Sequence, residues 1–267
     1  MNIPTNAICT LPYIAVRKDP SETSEMISQL LFGEIYTVSD IQQKWAKVVN
    51  QTDNYTGWCD AKLIKALSKE QVIELQNMKK VVVGQKWLDI HISCFDTSIT
   101  ISAGSILYQK QPGQFSINGE NCNVSTNVIE NYANTIDTVI YTAKSLLNTP
   151  YLWGGRSAYG IDCSGLVQTC FRVAGKTLPR DASQQIYEGN TVSSLQDAQK
   201  GDLAFFCNEK GSVCHVGILL SNNQIIHASG FVKIDSIDIQ GIFDKNKTNT
   251  LITCVLLKEL LYSLTLF

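Results

Sequence analysis

Apolar and polar residues change rhythm once along this chain, near residue 127. Before that point the apolar residues come in short runs broken by turn signals. Ile35-Tyr36-Thr37-Val38 and Trp45-Ala46-Lys47-Val48-Val49 have the strand-forming, near-alternating character of half-buried strands. Asp53-Asn54 with Gly57 reads as a turn. Short strands at this spacing predict a small β-barrel over residues 1–66. A polar helical patch, SKEQVIELQNMKK, follows. A second β-rich stretch then runs from Val81 to Val124, punctuated by Gly84, Gly104, Pro112-Gly113 and Asn118-Gly119, and predicts a second barrel over 67–126.

From Asn127 onward the period becomes helical. Apolar residues between Val128 and Leu147 fall at 129, 132, 133, 136, 139, 140, 143, 146 and 147, and Pro150 stops the run. Gly154-Gly155 and Gly160 mark a loop that delivers Ile161-Asp162-Cys163. A second helix starts there, with apolar positions at 166, 167, 170, 171 and 174 and Gly175 as its C-terminal cap. Three strands follow, DLAFFC, HVGILL and QIIHAS, the last two flanking the turn Ser221-Asn222-Asn223. The expected fold class is α+β, with residues 127–267 as the C-terminal domain.

Composition adds little. A chain of 267 residues supports two or three domains, and a net charge of −2 gives no reason to expect nucleic acid or an anionic membrane as partner. The opening MNIPTNAICTLPY has no basic segment followed by an apolar one, so a cytoplasmic location is expected, or a periplasmic or secreted one if a leader preceded this Met. The final LITCVLLKELLYSLTLF is too short to span a bilayer and is interrupted by Lys258 and Glu259; it reads as a buried strand with a docked tail. Nine cysteines, an odd number with no CxxC pair, indicate reduced thiols, most of them small buried hydrophobes.

Cys163 departs from that background. At a helix N-terminus, unpaired N–H groups and the helix dipole favour a thiolate, whereas Cys170 on the same helix has only apolar neighbours and should be inert. The chain has three histidines. His91 has no partner nearby and reads as structural or surface, while His215 and His227 share one hairpin. An ideal two-residue turn pairs Ser221 with Gln224 and Ile218 with His227, which leaves His215 on the opposite face. Bringing both rings to Cys163 requires a bulge, expected at Gly217. His215 is then the base that activates the thiol and His227 its orienter. The rival is a zinc site drawn from Cys163, Cys207, Cys214, His215 and His227. Adjacent Cys214 and His215 would face opposite sides of a strand, so neither metal nor cofactor is expected.

YLWGGRSAYGIDCSGLVQTCF, LPRDASQQ, GDLAFF, HVGILL and IIHAS, in that order, resemble the NlpC-type cell-wall cysteine peptidases over the C-terminal domain. The resemblance implies a papain-like fold and cleavage of γ-D-glutamyl–diamino acid bonds in peptidoglycan stem peptides. It makes Cys163 the nucleophile, His215 the base, His227 the third residue and Tyr151 an oxyanion neighbour beside the Cys163 N–H. SEMISQLLFGE, WAKVV and YTGW are similar to a bacterial SH3-like module of a three-domain subgroup, which looks like a recycling enzyme releasing L-Ala-γ-D-Glu from peptides with a free N-terminus. In that subgroup the first barrel closes one end of the groove and acidic groups hold the substrate ammonium. The matching positions are Asp181, Tyr55 and Glu25, with Trp153, Asp162, Ser164 and Arg180 as further substrate-binding candidates. A carboxylate pair with a phenol suits a buried ammonium. Plainer readings stand beside these: Asp181 and Gln184 form a capping box, Tyr55 and Trp58 pack a barrel core, Glu25 is a solvated charge and Ser164 starts a helix. A murein-derived peptide is the expected partner and a monomer the expected state. An amidase or acyltransferase on the same frame, and a wall-binding module, are the other classes; keeping Cys163, His215 and His227 together argues against the module.

Overall fold

The structure, a computed structural model, describes all residues except 1–4, 93–96, 112, 118–119, 125–134, 244–248, 253–254 and 261–267. It divides into two compact units, the first of residues 1–132 and 153–158, the second of 133–152 and 159–267.

The first unit holds two six-stranded antiparallel sheets. One consists of β1 (Thr5–Ile8), β2 (Tyr13–Arg17), β3 (Met26–Leu31), β4 (Ile35–Gln42), β5 (Trp45–Asn50) and β6 (Thr56–Asp60), in the order β1-β4-β5-β6-β2-β3. The other consists of β7 (Lys79–Val82), β8 (Trp87–Ile92), β9 (Thr97–Ser102), β10 (Ile106–Gln111), β11 (Gln114–Ile117) and β12 (Glu120–Val124), in the order β7-β10-β11-β12-β8-β9. Subtracting six from each label of the second order recovers the first, so the two sheets share one topology. Their turns agree too. Gly33 N–H donates to Cys9 O and Cys9 N–H to Glu34 O; Gly104 N–H donates to Val83 O and Val83 N–H to Ser105 O. Both glycines have left-handed φ, +79° and +88°.

Between the sheets lies α1 (Lys69–Asn77), started by a capping box in which the Ser68 hydroxyl accepts from Gln71 N–H and the Gln71 side chain accepts from Ser68 N–H. Its Val72 and Leu75 join Val81, Leu88, Ile90, Leu107 and Phe115 in one core that also takes in Ile8, Phe32 and Ile35 of the first sheet. The other core of the unit, Ile14, Val16, Leu30, Tyr36, Val38 and Val48 among others, fills the first sheet alone. Gly57 is not part of a turn. It lies inside β6 opposite Val48, where an added Cβ would sit 2.5 Å from Val16 Cγ1 and 2.7 Å from Arg17 O, so it permits close approach of β2. The turn itself is carried by Asp53, which accepts from Tyr55 N–H, and by Asn54 at φ +58°.

Residues 153–158 belong to this unit through the two-residue strand β13 (Arg156–Ser157), which lies against β3. The Arg156 guanidinium makes bonds of 3.1 and 3.3 Å to the Glu34 carboxylate and one of 2.8 Å to Gln29 O, all fully buried. Glu34 also accepts from Leu31 N–H at 2.8 Å. At the equivalent turn of the second sheet the residue is Ser105, buried, with no partner for its hydroxyl.

The second unit has helices α2 (Ile136–Ser145), α3 (Cys163–Val173) and α4 (Ala182–Gln185). Thr135 caps α2; the earlier part of the expected helix, 128–134, lies outside the described residues. After the short strand β14 (Gly160–Ile161) and α3 comes an eight-stranded sheet built from β15 (Asn190–Val192), β16 (Leu203–Cys207), β17 (Val213–Ser221), β18 (Gln224–Ser229), β19 (Phe231–Asp238), β20 (Gly241–Phe243), β21 (Asn249–Ile252) and β22 (Val255–Glu259). Its order is β15-β22-β16-β17-β18-β19-β20-β21. The expected single final strand is thus two, the second returning between β15 and β16; the expected docked tail falls outside the described residues. Helix α3 packs against α2 and against β17 and β18, which brings its first residue to the histidine hairpin. Among the described residues no helix is long and apolar enough to cross a membrane.

Candidate active site

Cys163 is the first residue of α3, where the backbone N–H has no acceptor within the helix. Asp162 caps the helix by accepting from Gly165 N–H at 2.7 Å. The backbone N–H groups of Val216 and Ser164 neighbour the Cys163 sulfur and favour its thiolate. Val216 follows His215 directly on β17, so one strand neighbours the sulfur and carries the base. Burial works against the expected resting thiolate. Cys163 is 7% exposed, and burial, followed by the neighbouring Asp162 carboxylate, pushes its thiol up to about 12, against the pull of the two N–H groups and Arg180. Burial alone pushes the Cys170 thiol up as well. Burial also pushes His215 down to about 3, helped by His227 and Lys233. Burial thus disfavours the charged form of both the thiol and the imidazole.

Asp162, Ser164 and Arg180 are brought together, but around one another. Arg180 donates to Asp162 at 2.6 and 3.1 Å and to Ser164 Oγ at 2.8 Å, and Gln185 donates to Ser164 O at 3.1 Å. All are buried. Their geometry gives them a holding role: the cluster fixes the start of α3 and supplies a cation beside the carboxylate that neighbours the thiol.

The hairpin solves its parity problem as required, but at a different residue. Leu219 pairs with Ile225 and Ser221 with Gln224, so Leu220 is the extra residue rather than Gly217. Gly217 then faces His227 directly, and His215 lies two positions away on the same face. The absent side chain of Gly217 has its own use: a Cβ there would stand 2.9 Å from His227 Cβ and 2.6 Å from Ile225 Cδ1. The His227 ring leans across the vacant position, and His215 Nε2 and His227 Nδ1 meet at 2.9 Å with ring centroids 5.1 Å apart at 85°. Gly217→Ala is expected to part the two rings and lower kcat on the order of 10²-fold, read in steady-state assays; undiminished turnover would show that the ring pair does not depend on this gap.

Beyond His227 lies Asp235, which the residue pattern does not reveal. Its Oδ2 is 3.1 Å from His227 Nε2 and 2.9 Å from Lys233 Nζ. The only sequence signal is the alternation of Lys233 and Asp235 along the strand after the second histidine. A further bulge at Cys214, between Phe206 opposite His215 and Cys207 opposite Val213, turns Cys214 to solvent while His215 stays buried. Among the described residues, no three His, Cys, Asp or Glu side chains gather as metal ligands.

Tyr151 is half-buried beside this centre, its N–H bonded to Gly230 O at 2.9 Å and its backbone bridged to Ile161. Burial pushes its phenol up, as do Cys163 and Asp162, so it keeps its proton and can donate to an oxyanion. Asp181 precedes α4 without capping it by its side chain, so the expected capping box is not formed. In the first unit, Trp153 Nε1 donates to Glu25 at 2.6 Å, with Lys18 4.0 Å from the same carboxylate. Tyr55 is half-buried after the turn at Asp53-Asn54. His91, on β8, meets Ser98 across the strand pair at 3.3 Å and has no part in the centre.

A thiol at a helix N-terminus, served by an imidazole on an antiparallel sheet that a second imidazole orients, makes the second unit a papain-like cysteine peptidase. Residues 148–250 match the NlpC/P60 family, and residues 16–62 match the bacterial dipeptidyl-peptidase Sh3 domain. The chain thus carries an NlpC/P60 cysteine peptidase domain with a bacterial dipeptidyl-peptidase Sh3 domain in front. It is 29% identical over 217 residues to the γ-D-glutamyl-L-lysine dipeptidyl-peptidase of Bacillus subtilis, covering 75% of this chain and 71% of that one. It is 28% identical over 280 residues to dipeptidyl-peptidase 6 of Lysinibacillus sphaericus, covering 94% and 98%. Its fold matches the crystal structure of an NlpC/P60 family protein from Bacillus cereus with a TM-score of 0.80 at 22% identity, over 96% of this chain and all of that one.

Proposed function

We propose that this peptidase hydrolyses the γ-D-glutamyl–diamino acid bond of peptidoglycan-derived peptides, releasing L-Ala-γ-D-Glu from those whose N-terminal L-Ala carries a free amine. The observation that carries the reading is the Cys163 thiol beside Val216, the residue that follows His215 of the His215–His227 pair, in a chain similar, along nearly its whole length, to dipeptidyl-peptidase 6. His215 takes the thiol proton as sulfur attacks the γ-carbonyl, and the Cys163 N–H and Tyr151 hydroxyl stabilise the oxyanion. His215 returns the proton to the departing amine of the diamino acid, and water, activated by the same base, then cleaves the thioester. Asp181 on the peptidase unit, and Glu25 and Tyr55 on the first unit, are the candidates for holding the ammonium. A requirement for a free amine suits peptides already released from the wall and taken up, and with it a cytoplasmic monomer.

Mass-spectrometric digestion of L-Ala-γ-D-Glu-diaminopimelate-D-Ala beside its N-acetylated copy tests this. Release of L-Ala-γ-D-Glu from the free peptide alone is the expected result. Equal cleavage of both would leave the peptidase and remove the amine requirement; cleavage of neither, with Cys163 reactive, would turn the assignment toward an amidase or acyltransferase. Asp181→Asn is expected to raise KM for the free peptide on the order of 10²-fold, the loss of one charged partner, with Tm almost unchanged because the carboxylate caps no helix. A fall in Tm with KM intact would assign Asp181 to stability instead.

A further inference from the structure

We infer that Asp235, held by Lys233, is a positioning residue that sets the tautomer of both histidines and so leaves His215 Nδ1 as the basic nitrogen. The inference rests on the peptidase reading of Cys163 and His215 and extends it to a fourth and a fifth side chain.

Strand register places these groups in a line. Gly217 faces His227 across β17 and β18, His227 faces Lys233 across β18 and β19, and Ile225 faces Asp235. His215, His227 and Asp235 therefore step diagonally over three adjacent strands on one face of the sheet. Each step is a hydrogen bond, 2.9 Å from His215 Nε2 to His227 Nδ1 and 3.1 Å from His227 Nε2 to Asp235 Oδ2. His227 is wholly buried, and His215 and Asp235 nearly so, so water is a poor substitute for either partner.

A carboxylate only accepts, so the proton of its contact with His227 sits on Nε2. A neutral His227 then offers a lone pair at Nδ1, and His215 Nε2 must donate to it. The proton of His215 is thereby kept off Nδ1, the nitrogen left to take a proton from the thiol. Without Asp235 the reverse order satisfies the two rings equally well: His227 Nδ1 donates, His215 Nε2 accepts, and the His215 proton moves to Nδ1, where the ring cannot act as base. Lys233 completes the device. Its ammonium, 2.9 Å from Asp235 Oδ2, balances the carboxylate without a second cation on His227, which would also place a proton on Nδ1. Burial alone would raise the Asp235 carboxyl, but the hydrogen bonds from His227 and Lys233, with the Lys233 charge, hold it below the usual carboxylate range.

The chain has three histidines, so a His91→Gln background leaves only these two rings to observe. Imidazole ¹⁵N spectra of the full chain are expected to show Nε2–H on both at neutral pH. In Asp235→Ala, His215 should become a mixture of tautomers, kcat should fall roughly 30- to 100-fold with KM within about twofold, and alkylation of Cys163 by iodoacetamide should slow to a similar extent. That is less than the roughly 10⁴-fold known for removing a carboxylate that touches a catalytic base directly, because one ring intervenes. Asp235→Asn keeps the size and one acceptor oxygen and should lie between. Folded variants whose His215 keeps Nε2–H, with alkylation within about threefold of wild type, would overturn the inference; if Asp235→Ala does not fold, unchanged alkylation in Asp235→Asn would do so. Neither the spectra nor the alkylation uses a substrate, so an enzyme that cleaves neither test peptide would refute the proposed substrate and leave these readings to decide.

Discussion

Cys163→Ala should lose turnover by roughly 10⁵-fold or more while its far-ultraviolet circular dichroism stays that of the wild type. The variant removes the only atom able to form the acyl intermediate, and such losses are characteristic of a nucleophile rather than of a supporting group. The fold should tolerate the change, since a small buried side chain is replaced by a slightly smaller one, at about 1 kcal/mol near neutral pH. Stability at high pH carries a second signature. The unfolded thiol ionises near 9.0, whereas burial holds the native one protonated up to about 12. Cys163 therefore contributes its full stability below about pH 9 and loses it as pH rises through its native value. Cys163→Ala should consequently unfold at a higher pH than the wild type in an alkaline titration. The shift is partial, because burial pushes Cys9, Cys59 and Cys170 up as well. Residual turnover above the level expected of an oxyanion hole alone would remove Cys163 from the mechanism. An unchanged alkaline limb would show that the thiol is not shielded in solution.

Arg156→Met should destabilise the protein by about 3–5 kcal/mol, the cost of leaving the buried Glu34 carboxylate without its cation. Arg156 and Glu34 are both almost wholly inaccessible, and the guanidinium has no solvent route to share its charge. The double variant Glu34→Leu with Arg156→Met removes both charges and should recover more than half of that loss. It should not recover all of it, because the Leu31 N–H that bonds to Glu34 and the Gln29 carbonyl that bonds to Arg156 lose their partners. Thermal and urea unfolding of the three proteins read this directly. A double variant less stable than Arg156→Met would mean that the pair is more than two charges cancelling each other.

What the sequence declares and what it hides divide along physical lines. Helix α3 and the two histidines are legible because each depends on residues within a few positions of itself, whereas Asp162, not Ser164, proves to be the residue that caps the helix. The need for a bulge follows from strand parity, but its position at Leu220 does not, since Gly217 looks like the freer residue and is in fact required opposite His227. The environment of the thiol is only half legible, because a helix N-terminus is a local property and burial, which opposes it, is not. Asp181 carries a capping pattern, yet its side chain makes no cap. Asp235 stays hidden because strand register alone brings it to His227. The second sheet is legible as a second barrel, but the shared strand order is not, and its most local trace is a left-handed glycine in each matching turn, Gly33 and Gly104.

The extra residue Leu220 makes the active site a matter of counting. Side chains on a strand alternate, so removing one residue between His215 and the hairpin turn would send the base to the far side of the sheet. Such a deletion would shorten HVGILL by one apolar residue and leave every other signature block, and the apolar character that folds the strand, as they are. A chain could thus keep its cysteine and both histidines and still be inert, and one codon inserted in the same place would arm it again. In this fold the spelling of the motif matters less than whether the number of letters between the base and the turn is odd or even.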